Sequence, residues 1–153
     1  MNIFQFEPTP IAEWRKLVLE GQKSAGFELA ESVENYVVIT LDAYTTKTEL
    51  SSNVIAVDFL KNIHVHSIRN MQTLRAVGDH CLILAGLFPD RAKRKNVSAE
   101  YFKHIGENAY YILSFSHAQK LDHSLFYQLF DNFADLVAIL KAMRVCTQEN
   151  ILH

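Results

Sequence analysis

Apolar side chains recur every three or four residues along most of the chain, which is the spacing of one face of an α-helix. Thr9 followed by Pro10 predicts the start of a first helix, because the hydroxyl caps free N–H groups and proline lacks one. Gly21 or Gly26 is its predicted end. Its apolar face consists of Ile11, Trp14, Leu17 and Val18.

The same period predicts five further helices, a second to a sixth, over residues 28–46, 48–60, 68–88, 98–113 and 125–143. Pro89 ends the fourth of these helices and Ser98 caps the fifth. No alternating strand pattern competes with this assignment, and the connections are short. The fold is therefore predicted to be all-α, with about six helices packed as neighbours in a single bundle-like array.

The fourth helix is predicted to be the central one, near residues 68–88. Its second half, from Cys81 to Phe88, is apolar on every side, which is typical of a buried helix. Gly78 and Gly86 lie two turns apart and leave room for a neighbouring helix. The sixth helix has an apolar arc wider than one neighbour requires, so we also consider it a dimer surface.

Composition places the chain among globular proteins. It has 153 residues, 49% of them hydrophobic and 21% charged, which suits one domain over residues 1–153. We expect loose ends at residues 1–9 and 147–153. No signal peptide is predicted, and no apolar stretch approaches the ~18 residues of a membrane span. We therefore expect a cytoplasmic protein with no membrane association.

Charge is distributed unevenly along the chain. The formal charge is −5 over residues 1–60, +5 over residues 61–105 and −2 over residues 106–153. Complementary patches of this kind favour self-association or an acidic protein partner. The net charge of −2 argues against a dedicated nucleic-acid-binding protein.

The basic corner, residues 91–95, concentrates the positive charge. Arg91, Lys93, Arg94 and Lys95 lead directly to Ser98, the predicted cap of the fifth helix. Cations beside a helix N-terminus suit an anion site. A short basic run is equally typical of a solvated turn.

A second candidate site lies on the fourth helix. Arg75 and Asp79 are four residues apart and face the same way. A carboxylate beside an apolar half-helix needs a partner, and Arg75, Arg91 or Arg94 is available to supply it. His80 and Cys81 are adjacent but point about 100° apart, so they do not form a catalytic dyad.

Metal and cofactor sites are not predicted. Glu100, His104 and Glu107 share one face of the fifth helix, but no Glu-x-x-His motif occurs in the chain. Aromatic residues on the last two helices suit either a pocket for a flat ligand or ordinary core packing, and core packing is favoured. No Cys-x-x-Cys-His motif for haem attachment is present.

The segment from Gly78 to Leu113 contains Gly-Asp-x-Cys-Leu, Gly-Leu-Phe-Pro, Arg-Ala, Val-Ser-x-x-Tyr-Phe and Gly-x-x-Ala-Tyr. In this pattern it resembles a group of small all-helical bacterial proteins, mostly proteobacterial, that has no assigned activity. The segment from Glu31 to Thr45 is similar to the second helix of that group. The resemblance implies that any shared site lies where the fourth helix turns through the basic corner into the fifth, and it implies no particular reaction.

No complete catalytic set is present, so the favoured hypothesis is a non-enzymatic interaction protein. It would form a homodimer and use the basic corner to dock a second copy or an acidic partner. The alternative is a bundle, with or without enzymatic activity, that binds a small anion or cofactor around Arg75, Asp79, Arg91 and Tyr101. The candidate binding residues are thus Arg75, Asp79, Arg91, Arg94, Lys95, Ser98 and Tyr101. Weak nucleic-acid binding through the basic corner is a further alternative.

Overall fold

The computed structural model describes residues 9–46, 64, 67–90, 98–116 and 122–152. Within them the chain forms helices that pack on one another and no strand, so the all-α prediction is confirmed. The helices are α1 (Pro10–Ala25), α2 (Glu31–Thr46), α3 (Met71–Leu87), α4 (Ala99–Ser114), α5 (His123–Asp131) and α6 (Phe133–Leu152). The predicted helix at 48–60 and the basic corner at 91–95 lie outside the described residues.

Local sequence signals fix several helix ends as predicted. Thr9 Oγ1 accepts a hydrogen bond from the Ala12 N–H at 3.1 Å, and Gly26 ends α1 in the left-handed region at φ 79°. That conformation carries no side-chain penalty in glycine. Ser98 Oγ accepts the Tyr101 N–H at 3.1 Å and so caps α4.

The central helix is α3, which packs against both α4 and α6. All side chains from Cys81 to Gly86 are buried, as the apolar pattern predicts. The helix begins at Met71 rather than at 68, because the Oδ1 atom of Asn70 accepts the N–H groups of Gln72 and Thr73 at 2.8 and 3.3 Å. Asparagine in this position supplies the acceptor that the first helical turn lacks.

Two other helix boundaries differ from prediction. The second helix begins at Glu31 rather than 28, since the Leu29 N–H donates to Gln22 Oε1 at 2.8 Å and holds that residue outside the helix. The single helix predicted over 125–143 is divided into α5 and α6 at Asn132. Asn132 leaves helical geometry at φ −99° and ψ 12°, and its side-chain Nδ2 shares the Gln128 carbonyl with its own backbone N–H, both at 2.9 Å.

Helix α6 packs against α1 as well as α3. These two neighbours account for the wide apolar arc that makes the predicted sixth helix a candidate dimer surface. Gly86 permits the contact with α3, because a Cβ atom there would lie 2.5 Å from Leu140 Cβ. The prediction gives a loose tail from residue 147, whereas the backbone is helical to Leu152. No glycine or proline follows Met143 to end the helix.

Candidate functional site

A buried carboxylate joins three helices. Asp79 in α3 is only 4% exposed, and its Oδ1 atom accepts two hydroxyl hydrogen bonds. Tyr36 of α2 donates at 2.7 Å and Tyr110 of α4 donates at 2.6 Å. The predicted need of Asp79 for a partner is thus met by two tyrosines. They provide directional bonds that hold α2 and α4 in a fixed relation to α3.

Gly78 allows Tyr110 to reach Asp79. A Cβ atom at position 78 would lie 2.5 Å from Cε1 and 2.8 Å from Cδ1 of the Tyr110 ring. The ring therefore lies directly over the α3 backbone, and any side chain at position 78 would displace it. The rings of Tyr36 and Tyr110 also pack edge to face, with centroids 6.4 Å apart.

Arg75 extends the cluster to the protein surface. Its Nε donates to the Tyr36 hydroxyl at 3.0 Å, and Tyr36 in turn donates to Asp79. The Arg75 guanidinium carbon lies 5.1 Å from the centroid of the Tyr36 ring, a favourable cation–π distance. Among the described contacts the predicted pairing of Arg75 with Asp79 is therefore indirect, relayed by Tyr36, and both Nη groups of Arg75 are left without a hydrogen bond.

Burial controls the protonation of the cluster. It raises the pKa of Asp79 above its ordinary value and outweighs the hydroxyls of Tyr110 and Tyr36 and the charge of Arg75, which lower it. Burial, with the negative charge of Asp79 as the next cause, also raises the pKa of both tyrosines. Their hydroxyls therefore remain protonated donors throughout the physiological range.

A hollow of about 230 Å³ lies between α2 and α3 beside this cluster. Arg75 and Asp79 line it together, and both of the Asp79 hydrogen bonds go to Oδ1, so Oδ2 has no partner among the described residues. The other lining residues are mainly apolar or uncharged: Ile39, Thr40, Ala43, Tyr44, Gln72 and Ala76.

The predicted site residues have different locations. Arg75 and Asp79 come together, whereas Ser98 caps α4 and Tyr101 lies in its first turn. Tyr101 precedes Tyr110 by nine residues, or about 13.5 Å along the helix. Arg91, Arg94 and Lys95 lie outside the described residues. Tyr36 and Tyr110 were not predicted from the sequence as the polar partners of Asp79.

Cys81 and His80, the residues beside Asp79 that could carry chemistry, lie in surroundings typical of structural residues. Cys81 is fully buried, and burial raises the pKa of its thiol, which suppresses the reactive thiolate. His80 Nδ1 lies 2.8 Å from the Ala76 carbonyl of its own helix. Glu100 and His104 are exposed, and no group of three metal-ligating side chains occurs within the part of the chain that the structure describes.

The aromatic residues of α4 and α5, with Phe115 directly after α4 and Phe133 at the start of α6, divide into a buried group and a surface group. Phe102, Tyr110, Phe126 and Phe133 are core residues. The aromatic ridge, consisting of Tyr111, Phe115, Tyr127 and Phe130, instead lies at the surface, with Tyr111, Phe115 and Tyr127 44, 57 and 51% exposed. Its rings touch in sequence, Tyr111 lying 5.0 Å from Phe115 and 4.8 Å from Phe130 between centroids.

None of the described helices combines the length and apolar character needed to cross a membrane. In comparisons with known proteins, no family model, no curated protein and no solved structure matches the chain. The resemblance to the proteobacterial group therefore stays a prediction.

Proposed function

We propose that this protein binds a small anion in the hollow between α2 and α3. The observation that carries the proposal is the state of Arg75, which lines the hollow and uses only Nε within the described contacts. Its two Nη groups present a planar fork of donors, the arrangement that carboxylates and phosphates bind in bidentate fashion. Tyr36 holds the guanidinium from behind, so less side-chain freedom is lost when an anion binds.

Asp79 adjusts the charge of this site. A fully ionised carboxylate close to Arg75 would weaken the attraction of an anion. Burial raises the pKa of Asp79. As the pH falls, Asp79 therefore loses its negative charge at a higher pH than an exposed aspartate does. Anion binding is accordingly expected to strengthen toward mildly acidic pH.

The test is thermal unfolding of the full chain with inorganic phosphate, acetate and longer carboxylates, because a ligand that binds the folded state raises the Tm by mass action. Native mass spectrometry of gently purified protein would reveal a retained anion. Arg75→Gln should abolish the Tm increase. Arg69→Gln is the matched control, since Arg69 is exposed and does not line the hollow. Equal Tm increases for the wild type and Arg75→Gln would refute the proposal.

A second candidate function is assembly, favoured by the exposed aromatic ridge together with the basic corner. Contiguous apolar surface in a globular protein is typical of an interaction site. We propose a homodimer, or a complex with an acidic protein, in the bacterial cytoplasm. The charge layout of the sequence supports docking through Arg91, Arg94 and Lys95.

Sedimentation velocity tests assembly separately from ligand binding. Replacing Arg91, Arg94 and Lys95 together by glutamate should convert an assembled species into a monomer with an unchanged circular dichroism spectrum. Tyr127→Ser probes the aromatic ridge in the same experiment. A wild-type protein that is monomeric at all concentrations would exclude the homodimer.

A further inference from the structure

We infer that the ligand of the α2–α3 hollow is a zwitterion, namely a small α-amino acid with an aliphatic side chain. The inference rests on the proposed function, because it takes Arg75 as the anion-binding group. It adds a second recognition element, Asp79 Oδ2, and a third, the apolar wall. Each element selects one part of the ligand.

Asp79 selects a donor. Its Oδ1 atom already accepts both tyrosine hydroxyls, whereas Oδ2 has no partner within the described part of the chain and Asp79 lines the hollow. An ionised carboxylate offers only acceptor positions. The ligand group that best satisfies a carboxylate oxygen at such a hollow is therefore a cationic N–H donor such as an ammonium.

The positions of the two charged residues require a compact ligand. Arg75 and Asp79 are four residues apart on α3, so their Cβ atoms lie about 5–6 Å from one another on one face. A molecule that carries its carboxylate and ammonium on a single carbon can contact both side chains at once. Binding an ammonium also offsets the cost of ionising Asp79 in its buried position.

The walls and size of the hollow define the remainder of the ligand. Ile39, Ala43 and Ala76 provide an apolar surface, which favours an aliphatic side chain through burial of its hydrocarbon. The volume of about 230 Å³ is below the roughly 300–1,000 Å³ typical of pockets for drug-sized ligands. The hollow is accordingly suited to a small ligand.

Isothermal titration calorimetry of the full chain with three matched probes tests the inference. L-Leucine, 4-methylpentanoate and 3-methylbutylamine share one hydrocarbon skeleton and carry respectively both charges, the carboxylate alone and the ammonium alone. Leucine should bind at least about 10-fold more tightly than 4-methylpentanoate, because a hydrogen bond between charged groups contributes that much. The amine should not bind measurably.

The Asp79→Asn variant removes the charge while keeping an acceptor for both tyrosines, so it is expected to fold. It should bind 4-methylpentanoate at least as tightly as the wild type does, because the negative charge beside Arg75 is gone, and it should lose the preference for leucine. Arg75→Gln should bind neither carboxylate.

The outcomes separate the two proposals. Equal affinity for leucine and 4-methylpentanoate in the wild type would overturn the zwitterion inference and leave anion binding intact. Binding of phosphate but of neither carboxylate would have the same meaning. Failure of every anion tested to bind would overturn both proposals together.

Discussion

Helix α3 contains two different regions. In the first, from Cys81 to Gly86, every residue is buried and apolar. In the second, in the preceding turns, Arg75 and Asp79 form a polar region beside the neighbouring helices. The first region is held by close approach. A Cβ atom at Gly86 would meet Leu140, and one at Gly106 would meet Phe133 at 2.5 Å. The second region is held by three directed hydrogen bonds that converge on Tyr36 and Asp79.

The difference teaches what each kind of contact contributes. Apolar burial stabilises in proportion to area and tolerates changes of orientation. A buried carboxylate gives little net stability, because desolvation offsets much of its attraction to its partners. The Asp79 cluster therefore has its main effect on geometry and on the charge presented to the hollow. Substitutions in each region test this division.

Removing an aromatic ring from the apolar region should have the largest effect on stability. Phe133 is fully buried and contacts Gly106 and the Tyr110 ring. Phe133→Ala should lower the free energy of unfolding by about 3–5 kcal/mol. Urea unfolding measures the loss, and Phe115→Ala is the matched control, since Phe115 is 57% exposed. Comparable losses in the two variants would show that the apolar region does not dominate stability.

Removing the acceptor from the polar region should cost less. Asp79→Leu leaves the buried Tyr36 and Tyr110 hydroxyls without their common partner, which we expect to destabilise by about 2–4 kcal/mol. Asp79→Asn keeps an acceptor and should cost under about 1.5 kcal/mol. The same urea titration compares them. If Asn were as damaging as Leu, the negative charge and not the hydrogen-bond geometry would be the stabilising element.

The contrast between the regions also explains how far sequence could predict this structure. Thr9, Ser98 and Gly26 are local signals, so they identify helix ends without knowledge of the neighbours. The tyrosine partners of Asp79 are 43 and 31 residues away in sequence. Their role depends on which helices meet, and helical periodicity leaves that open.

Side-chain hydrogen bonds accompany the errors in the predicted helix boundaries. Gln22 Oε1 accepts the Leu29 N–H ahead of α2, and Asn132 adds a side-chain bond to the carbonyl that its own N–H already contacts. The apolar spacing continues through Asn132, so periodicity alone joins α5 to α6. The sequence likewise shows that the apolar arc of α6 is wide. It does not show that two helices, α1 and α3, pack against that arc.

The polar region should impose an unusual pH dependence on stability. Because the pKa of Asp79 is raised in the folded state, unfolding releases a proton at pH values between its ordinary pKa, about 4, and the raised one. Stability from this residue is complete at lower pH and decreases as pH rises through that window. The decrease cannot exceed about 1.4 kcal/mol per pH unit for one proton.

Urea unfolding at several pH values from 4 upward measures this effect as the difference between the wild type and Asp79→Asn, in which the other titrating groups cancel. The difference should move against the wild type as pH rises. Tyr36 and Tyr110 do not interfere, since burial raises the pKa of both. A constant difference would mean that the pKa of Asp79 is the same in the folded and unfolded states.

Arg75 should contribute least to stability although it is central to the proposed binding site. The residue is exposed and makes one side-chain hydrogen bond and one cation–π contact, both with Tyr36. Arg75→Gln should therefore change the free energy of unfolding by no more than about 1 kcal/mol, since interactions at exposed sites are screened by solvent. A loss of several kcal/mol would instead make the guanidinium part of the fold. A small loss, close to that of Arg69→Gln, would mean that the two Nη groups, which have no hydrogen bond among the described residues, serve binding and not stability. The structural part of the cluster would then end at the Tyr36 hydroxyl, and the functional part would begin at Arg75.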